Sequence, residues 1–290
     1  MRLGLHALGI GTGARPEIIR AVAFGAEQHG FATLWAGEHV VMLDAQASRY
    51  PYSADGRIAV PADADWLDPL LTLTYAAAAT TRIRLATGVL LLPEHNPVVI
   101  AKQAATLDVL SGGRCTLGVG VGWSAEEFAA LGVPFAGRGR RTAEYVAALR
   151  TLWRDDVSSF AGEFVRFDGI RVYPKPVARS LPVVFGGNSD AALQRVAAFG
   201  DGWYGFNVEA AAVDGRLAVL AEHCRAHGRS PGELTVAVAL SDPDPAHLPA
   251  LARAGVTELV VVAAPPEDPA DVPGWVGELA REWASPAAGC

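Results

Sequence analysis

The sequence predicts a (β/α)8 barrel, a TIM-type α/β fold with excursions after its second and fourth strands. Three observations lead there. Eight short apolar runs recur along the chain with helical patterns between them. Those runs are continuous rather than alternating, as parallel strands buried on both faces require. The length of 290 residues suits one such barrel with two long loops. A doubly wound open sheet shares the alternation and is the alternative fold. No linker or repeat divides the chain, so residues 1–290 are expected to form a single domain.

The elements follow in order. RLGLHAL (2–8) reads as the first strand. A helix over 16–29 starts with Pro16 in its first turn and stops at Gly30. FATLWAG (31–37) is the second strand, and LDPLLTLTYAAAAT (67–80) a helix. RIRLATGVLLL (82–92) is the third strand, and its helix, 97–110, ends at SGGR. CTLGVGV (115–121) is the fourth. The excursion 122–180 holds a helix over 139–154 and a hairpin-like SFAGEFVRF (159–167). PVVFGG (182–187) and GWYGF (202–206) are strands five and six, with helices over 189–199 and 209–227. LTVAVAL (234–240) and TELVVVA (257–263) complete the barrel, with helices near 246–254 and over 272–284.

Composition narrows the function classes. Hydrophobic residues make up 51% of the chain, enough for a substantial core. No window reaches about 18 uninterrupted apolar residues, so no membrane-spanning helix is expected. MRLGLHALGIGTG lacks the charged, apolar, small-residue order of a secretory signal. Cys115, Cys224 and Cys290 are odd in number and widely spaced, which fits a reducing cytoplasm rather than a disulfide framework. A net charge of −7 argues against general nucleic-acid binding. It leaves room for an anionic small ligand at a local site.

In a barrel of this kind the chemistry lies where strands end and helices begin. At the end of the fifth strand, Gly186 and Gly187 let backbone approach a ligand closely. Asn188 or Ser189 can cap the next helix, whose N-terminus favours a phosphate. An ordinary tight turn with an N-cap explains the same residues. GVGWSA (120–125) matches G-x-G-x-x-A, but it sits fourth in the chain and no strand with a terminal acid follows. Its glycines serve either close packing or a flat ring or phosphate tail laid against the strand. His39 ends the second strand, where its neutral pKa suits proton transfer to a reacting group. A structural histidine is the plain alternative. Glu94-His95-Asn96-Pro97 ends the third strand, as polar site groups or as a helix-starting turn. His223 and His227, with Cys224 between, have metal-compatible spacing on an outer helix but lack a third ligand, so no metal is expected. GRGRR (137–141) is a solvated helix start or a partner for an anionic tail.

Taken together these stretches resemble the bacterial luciferase-like monooxygenase superfamily, and within it the actinobacterial branch that uses the deazaflavin coenzyme F420. The markers are LWAGEHVV (34–41), YPYSADGR (50–57), IRLATGVLLLPEHNPVVIAKQAATLDVLSGGR (83–114), LGVGVGWSAEEFAALGVPF (117–135) and GGNSDAALQRVAAFGDGWY (186–204). The resemblance implies a cofactor at the C-terminal strand ends. It makes His39 the residue facing the reactive ring. It places Thr87, Gly88 and Val89 in a bulge behind the ring, with a cis bond between Gly88 and Val89. Gly120, Gly122 and Trp123 would lie beside the ring and tail. Gly186, Gly187, Asn188 and Ser189 would form the phosphate turn. The glutamate that some F420-dependent sugar-phosphate dehydrogenases carry after the fourth strand is replaced here by Trp123, which argues against that activity. Tyr50, Tyr52 and Arg57 are candidates to face substrate.

The function the resemblance implies is hydride transfer between F420 and a small organic substrate, with His39 moving a proton or anchoring a carbonyl. A two-component FMN-dependent monooxygenase is the second reading, and a non-catalytic flavin-binding relative a third. A lyase or isomerase with a phosphorylated substrate remains if the resemblance misleads. The same resemblance implies a homodimer and a separate reductase that supplies reduced flavin or F420.

Overall fold

The computed structural model describes residues 1–283. Eight parallel strands close into a barrel. They are β1 (Arg2–Leu8), β2 (Thr33–Ala36), β3 (Arg84–Thr87), β4 (Cys115–Val119), β7 (Val183–Gly186), β8 (Gly202–Val208), β9 (Thr235–Leu240) and β10 (Glu258–Val262). The remaining two, β5 (Ser158–Ala161) and β6 (Arg166–Ile170), form a separate antiparallel hairpin. The ring runs β1-β2-β3-β4-β7-β8-β9-β10, and Leu5 beside Val261 closes it.

The helices lie outside. Local chemistry starts them. Pro16 opens α1 (Pro16–Gln28), Pro69 opens α2 (Pro69–Ala77) and Pro97 opens α3 (Pro97–Ser111), each at a first turn that needs no donor. Asp68 and Asn96 cap α2 and α3 with their side chains. Gly112, at φ 71°, ends α3 in the left-handed conformation. The rest are α4 (Ala125–Ala130), α5 (Arg138–Arg154), α6 (Asp190–Phe199), α7 (Val213–Ala226), α8 (Leu248–Ala254) and α9 (Val272–Glu282). The main core fills the space between helices and barrel. A smaller cluster of Trp35, Ala86, Val184, Tyr204, Ala237, Ala239 and Val260 plugs the barrel interior. Trp35 stacks on Tyr204 at 4.6 Å between centroids. Its Nε1 donates to Glu258, whose buried carboxylate also accepts from Thr33. That pairing is what lets a charge sit in the floor of the barrel.

The structure differs from the sequence reading in three places that matter. The third strand stops at Thr87, not at residue 92. The peptide between Gly88 and Val89 is cis, as the resemblance implied, and the chain rejoins the barrel wall only at Leu90, whose N–H donates to the Gly118 carbonyl. The run LATGVLLL is apolar throughout, so periodicity could not show the break. The loop after β4 contains a helix, α4, that the sequence reading left out. The last helix ends at Glu282, and residue 284 of the predicted helix lies outside the described residues, as does Cys290.

Both excursions leave from the C-terminal ends of the strands. Residues 40–66 are irregular and are tied down where they return. Gly11 donates to the Asp65 carbonyl at 2.9 Å and Leu67 to the Gly9 carbonyl at 2.8 Å. Among the described residues no helix is long and apolar enough to cross a membrane.

Candidate active site

His39 follows β2 and is held from one side. Its Nδ1 lies 2.8 Å from Glu127 Oε2. The other Glu127 oxygen accepts from the amides of Val40 and Val41 at 2.7 and 3.1 Å. Glu127 is buried, so these three donors replace its water. The carboxylate accepts at Nδ1, which fixes the imidazole with its proton there. Nε2 then carries the lone pair, which accepts a long hydrogen bond from the Trp123 indole N–H at 3.4 Å. Trp66 meets the same ring edge-on at 4.9 Å, and its own indole N–H donates to the Gly37 carbonyl.

Neither Glu127 nor Trp66 was singled out from sequence. Glu127 sits three residues after Ser124, and that spacing reads as a capping box for α4. Ser124 does accept from the Glu127 amide. The Glu127 side chain turns away to His39, 88 residues earlier. The S-x-x-E signal was present, and it pointed to a cap rather than to a partner for His39.

Aromatic contacts run from His39 to the glycine turn. Trp123 lies 5.7 Å from His39, Tyr50 5.2 Å from Trp123, and Tyr52 5.4 Å from Tyr50. Burial pushes the pKa of both tyrosines up, so they stay neutral phenols. The Tyr52 hydroxyl lies 3.9 Å from the point a Cβ on Gly187 would occupy. Beneath this row, Val89 is hemmed in by two glycines. A Cβ on Gly120 would lie 2.7 Å from its Cγ2, and one on Gly186 2.9 Å from its Cγ1. Thr87 spends its hydroxyl on the Gly118 carbonyl at 2.6 Å, inside the barrel wall. Gly187, at φ 109°, occupies backbone space that side chains rarely reach. Asn188 donates to the Phe206 carbonyl at 2.7 Å, and its buried Oδ1 has no partner. Ser189 caps α6. The residues picked from sequence therefore gather at one end of the barrel.

A cavity of about 590 Å³ opens beside His39, Trp123 and Glu127 and under the 40–66 excursion, where Arg49, Arg57 and Ile58 line it. Tyr50, Tyr52 and the glycine turn do not line this cavity. On the barrel side, His6 bonds the Tyr204 hydroxyl at 3.1 Å, and burial drops its pKa to about 4.

The basic stretch is not simply solvated. Arg138 donates to the Gly122 carbonyl at 3.1 Å and stacks over Phe135. Arg141 is buried and donates to the Pro134 and Ala136 carbonyls. Burial and then the charge of Arg138 lower the pKa of Arg195 on α6. Among the described residues neither Arg138 nor Arg195 is paired with a carboxylate. On the far side, His223 and Cys224 lie on α7, with His227 just past its end.

Comparison with known proteins gives a consistent picture. A family model described as luciferase-like monooxygenase matches residues 3–279. An uncharacterized protein of Mycobacterium tuberculosis is 36% identical over 265 residues, 91% of this chain and 93% of its own length. An FMNH2-dependent dimethylsulfone monooxygenase of Pseudomonas putida is 37% identical over 138 residues, 46% of this chain and 38% of that one. Among solved structures, the coenzyme F420-dependent tetrahydromethanopterin reductase of Methanopyrus kandleri superposes with a TM-score of 0.76 at 17% identity, covering 97% of both chains.

Proposed function

Because the chain belongs to the luciferase-like monooxygenase family, we propose that it is an F420-dependent oxidoreductase acting on a small organic substrate. The observation that carries this reading is His39 at the mouth of the barrel, fixed on Nδ1 by Glu127 and accepting on Nε2 only a long bond from the Trp123 indole, which a substrate hydroxyl would displace. When bound, the deazaflavin supplies two-electron hydride chemistry.

The residues fit such a group. Gly120 and Gly186 leave flat backbone on either side of Val89. Gly187 and the N-terminus of the ten-residue α6 offer N–H groups to a phosphate. The orphaned Oδ1 of Asn188 is an acceptor in want of a donor. Arg138 and Arg195, two guanidiniums without carboxylates, favour an anionic tail. Thr87 would support the bulge from within the wall, and Gly88, Gly122 and Trp123 would border the ring.

His39 Nε2 would take the proton of a substrate hydroxyl, or return it to a carbonyl, within hydrogen-bond reach. Glu127 would hold the ring and balance the imidazolium that forms. The half-buried aromatic row suits a mostly apolar alcohol or ketone. Exposed Phe24 on α1 and Leu71 and Tyr75 on α2 form one apolar face, with Tyr75 bonded to Arg20 of α1. We assign that face to a homodimer. A separate reductase would return the cofactor to its reactive state.

Titration with F420 and FMN in parallel tests this, read by quenching of the seven tryptophans. Tight F420 and weak FMN binding supports the proposal. The reverse favours an FMN-dependent monooxygenase, the reading that the Pseudomonas relative supports. Binding of neither overturns both.

A further inference from the structure

The side chains that point into the barrel form two layers. The lower one is the plug built around Trp35, Tyr204 and Val260. Alternate residues of a strand share a face, so the next inward positions towards the mouth are Gly37, Gly88, Gly186, Phe206 and Val262. His6 of β1 is in register with Trp35 on one side and Val262 on the other, and its imidazole shares their inward face. Three of these upper positions are glycines. Val262 faces inward and is still 51% exposed. The top of the barrel is therefore an open chamber above a closed plug. A Cβ on Gly37 would sit 3.3 Å from His6 Nε2, and one on Gly88 3.5 Å from its Cε1.

His6 is 8% exposed, and its Nδ1 lies 3.1 Å from the Tyr204 hydroxyl. Tyr204 is 1% exposed, and among the described residues its hydroxyl has no other partner. If Nδ1 carried the ring proton, the phenol proton would have no acceptor inside the barrel. The satisfied arrangement runs the other way. The phenol donates to Nδ1, and the imidazole proton sits on Nε2. Among the described residues nothing accepts from Nε2. The sealed polar atoms without partners belong to Asn188 and to Glu94, which is 7% exposed and whose neighbour His95 bonds Glu38 at 3.0 Å. His6 Nε2 is not one of them, because the chamber reaches it. Burial keeps the ring neutral, with a pKa of about 4, so this one N–H is what it offers. His39 is wired in the opposite sense, with its proton on Nδ1 and its lone pair on Nε2.

We propose that His6, through Nε2–H, is a binding residue that donates to a carbonyl oxygen of the molecule held in the barrel mouth. The inference rests on the reading of the mouth as the ligand site, and it holds for either cofactor. A carbonyl oxygen suits this donor because it accepts without bringing a proton of its own. An anion would meet no cation there, since none of the inward residues of the upper layer carries a charge. The carbonyl can come from the edge of a flat cofactor ring or from a ketone substrate. Glycine at Gly37 and Gly88 leaves the imidazole its space.

The first test needs no ligand. Nitrogen-15 spectra of the free protein at pH 7, with His6 assigned by the signals that His6→Phe removes, should show a neutral ring protonated on Nε2. A ring protonated on Nδ1, or on both nitrogens, overturns the proposal. The second test follows the Nε2–H signal as F420, FMN, lumichrome (a flat tricycle with carbonyl oxygens and no phosphate) or cyclohexanone is added. Movement with a cofactor alone assigns the carbonyl to its ring, and movement that waits for cyclohexanone assigns it to the substrate. A signal indifferent to all four overturns the proposal. A response to lumichrome without binding of F420 or FMN keeps the donor and removes the cofactor reading. The third test compares variants. His6→Phe should weaken binding of the ligand that moves the signal about tenfold. His6→Gln, whose amide can accept from Tyr204 and donate to the ligand, should stay within about threefold. Equal loss in both marks a packing role and overturns the proposal.

Discussion

Glu94→Gln is expected to change how stability depends on pH. The unfolded chain ionises this carboxyl around its ordinary value of 4.5, whereas the folded chain holds it protonated up to about 9. A folded-state pKa raised in this way gives a contribution fully present below the unfolded value and lost as pH climbs towards the folded one. The loss accrues at ~1.4 kcal/mol per pH unit while the two states differ by one proton. Between pH 5 and pH 7 the wild type should therefore lose on the order of 2–3 kcal/mol relative to Glu94→Gln. The amide keeps the volume and cannot ionise, so the cost of burying its polar atoms is the same at every pH. Urea unfolding at pH 5, 6, 7 and 8 measures the difference directly, with equal m-values showing that the folded and unfolded states are otherwise alike. A difference that stays flat with pH, or that moves in favour of the wild type, would refute the burial argument for Glu94.

Glu127→Gln should place an amide N–H against His39 Nδ1 and move the ring proton to Nε2, cutting turnover about 10²- to 10⁴-fold with little change in cofactor affinity; steady-state kinetics beside a binding titration would show it. Glu127→Ala should also destabilise the fold by about 1–3 kcal/mol, because three partly buried donors lose their acceptor, and chemical denaturation reads that. Gly187→Ala forces a side chain into a left-handed position 3.0 Å from the Ala192 Cβ. It should cost about 1–3 kcal/mol of stability and weaken cofactor binding, seen in the same tryptophan titration. Leu71→Asp, on a residue 68% exposed, should convert the proposed dimer to monomer in sedimentation while leaving the circular dichroism unchanged.

The barrel was legible in the chain because parallel strands buried on both faces are largely apolar, and all eight runs are, with Arg2, His6, Arg84 and Glu258 among the exceptions. Helix starts were legible for the same reason of local chemistry, since Pro16, Pro97 and Ser189 act within one turn. The proposed site takes its glycines and His39 from the sequence alone. What escaped was set by contacts between distant segments. Glu127 looks like half of a cap until His39 is placed beside it. Glu94 looks like part of a helix-starting turn until Glu38 takes its neighbour's imidazole. The break after Thr87 was legible only through the resemblance, because the apolar pattern continues through Gly88 and Val89.

The first turn of α4 works like two fingers on the long loop after β2. Glu126 holds the amides of Ala47 and Ser48, and Glu127 those of Val40 and Val41. The loop that roofs the cavity and the helix that orients His39 therefore form one mechanical unit, drawn from parts of the chain some 80 residues apart. Reshaping the roof for a new substrate would pull on the same helix that holds His39. A change of specificity in this protein should come as paired substitutions in the loop and in α4, and a loop transplanted alone should arrive with its chemistry out of line.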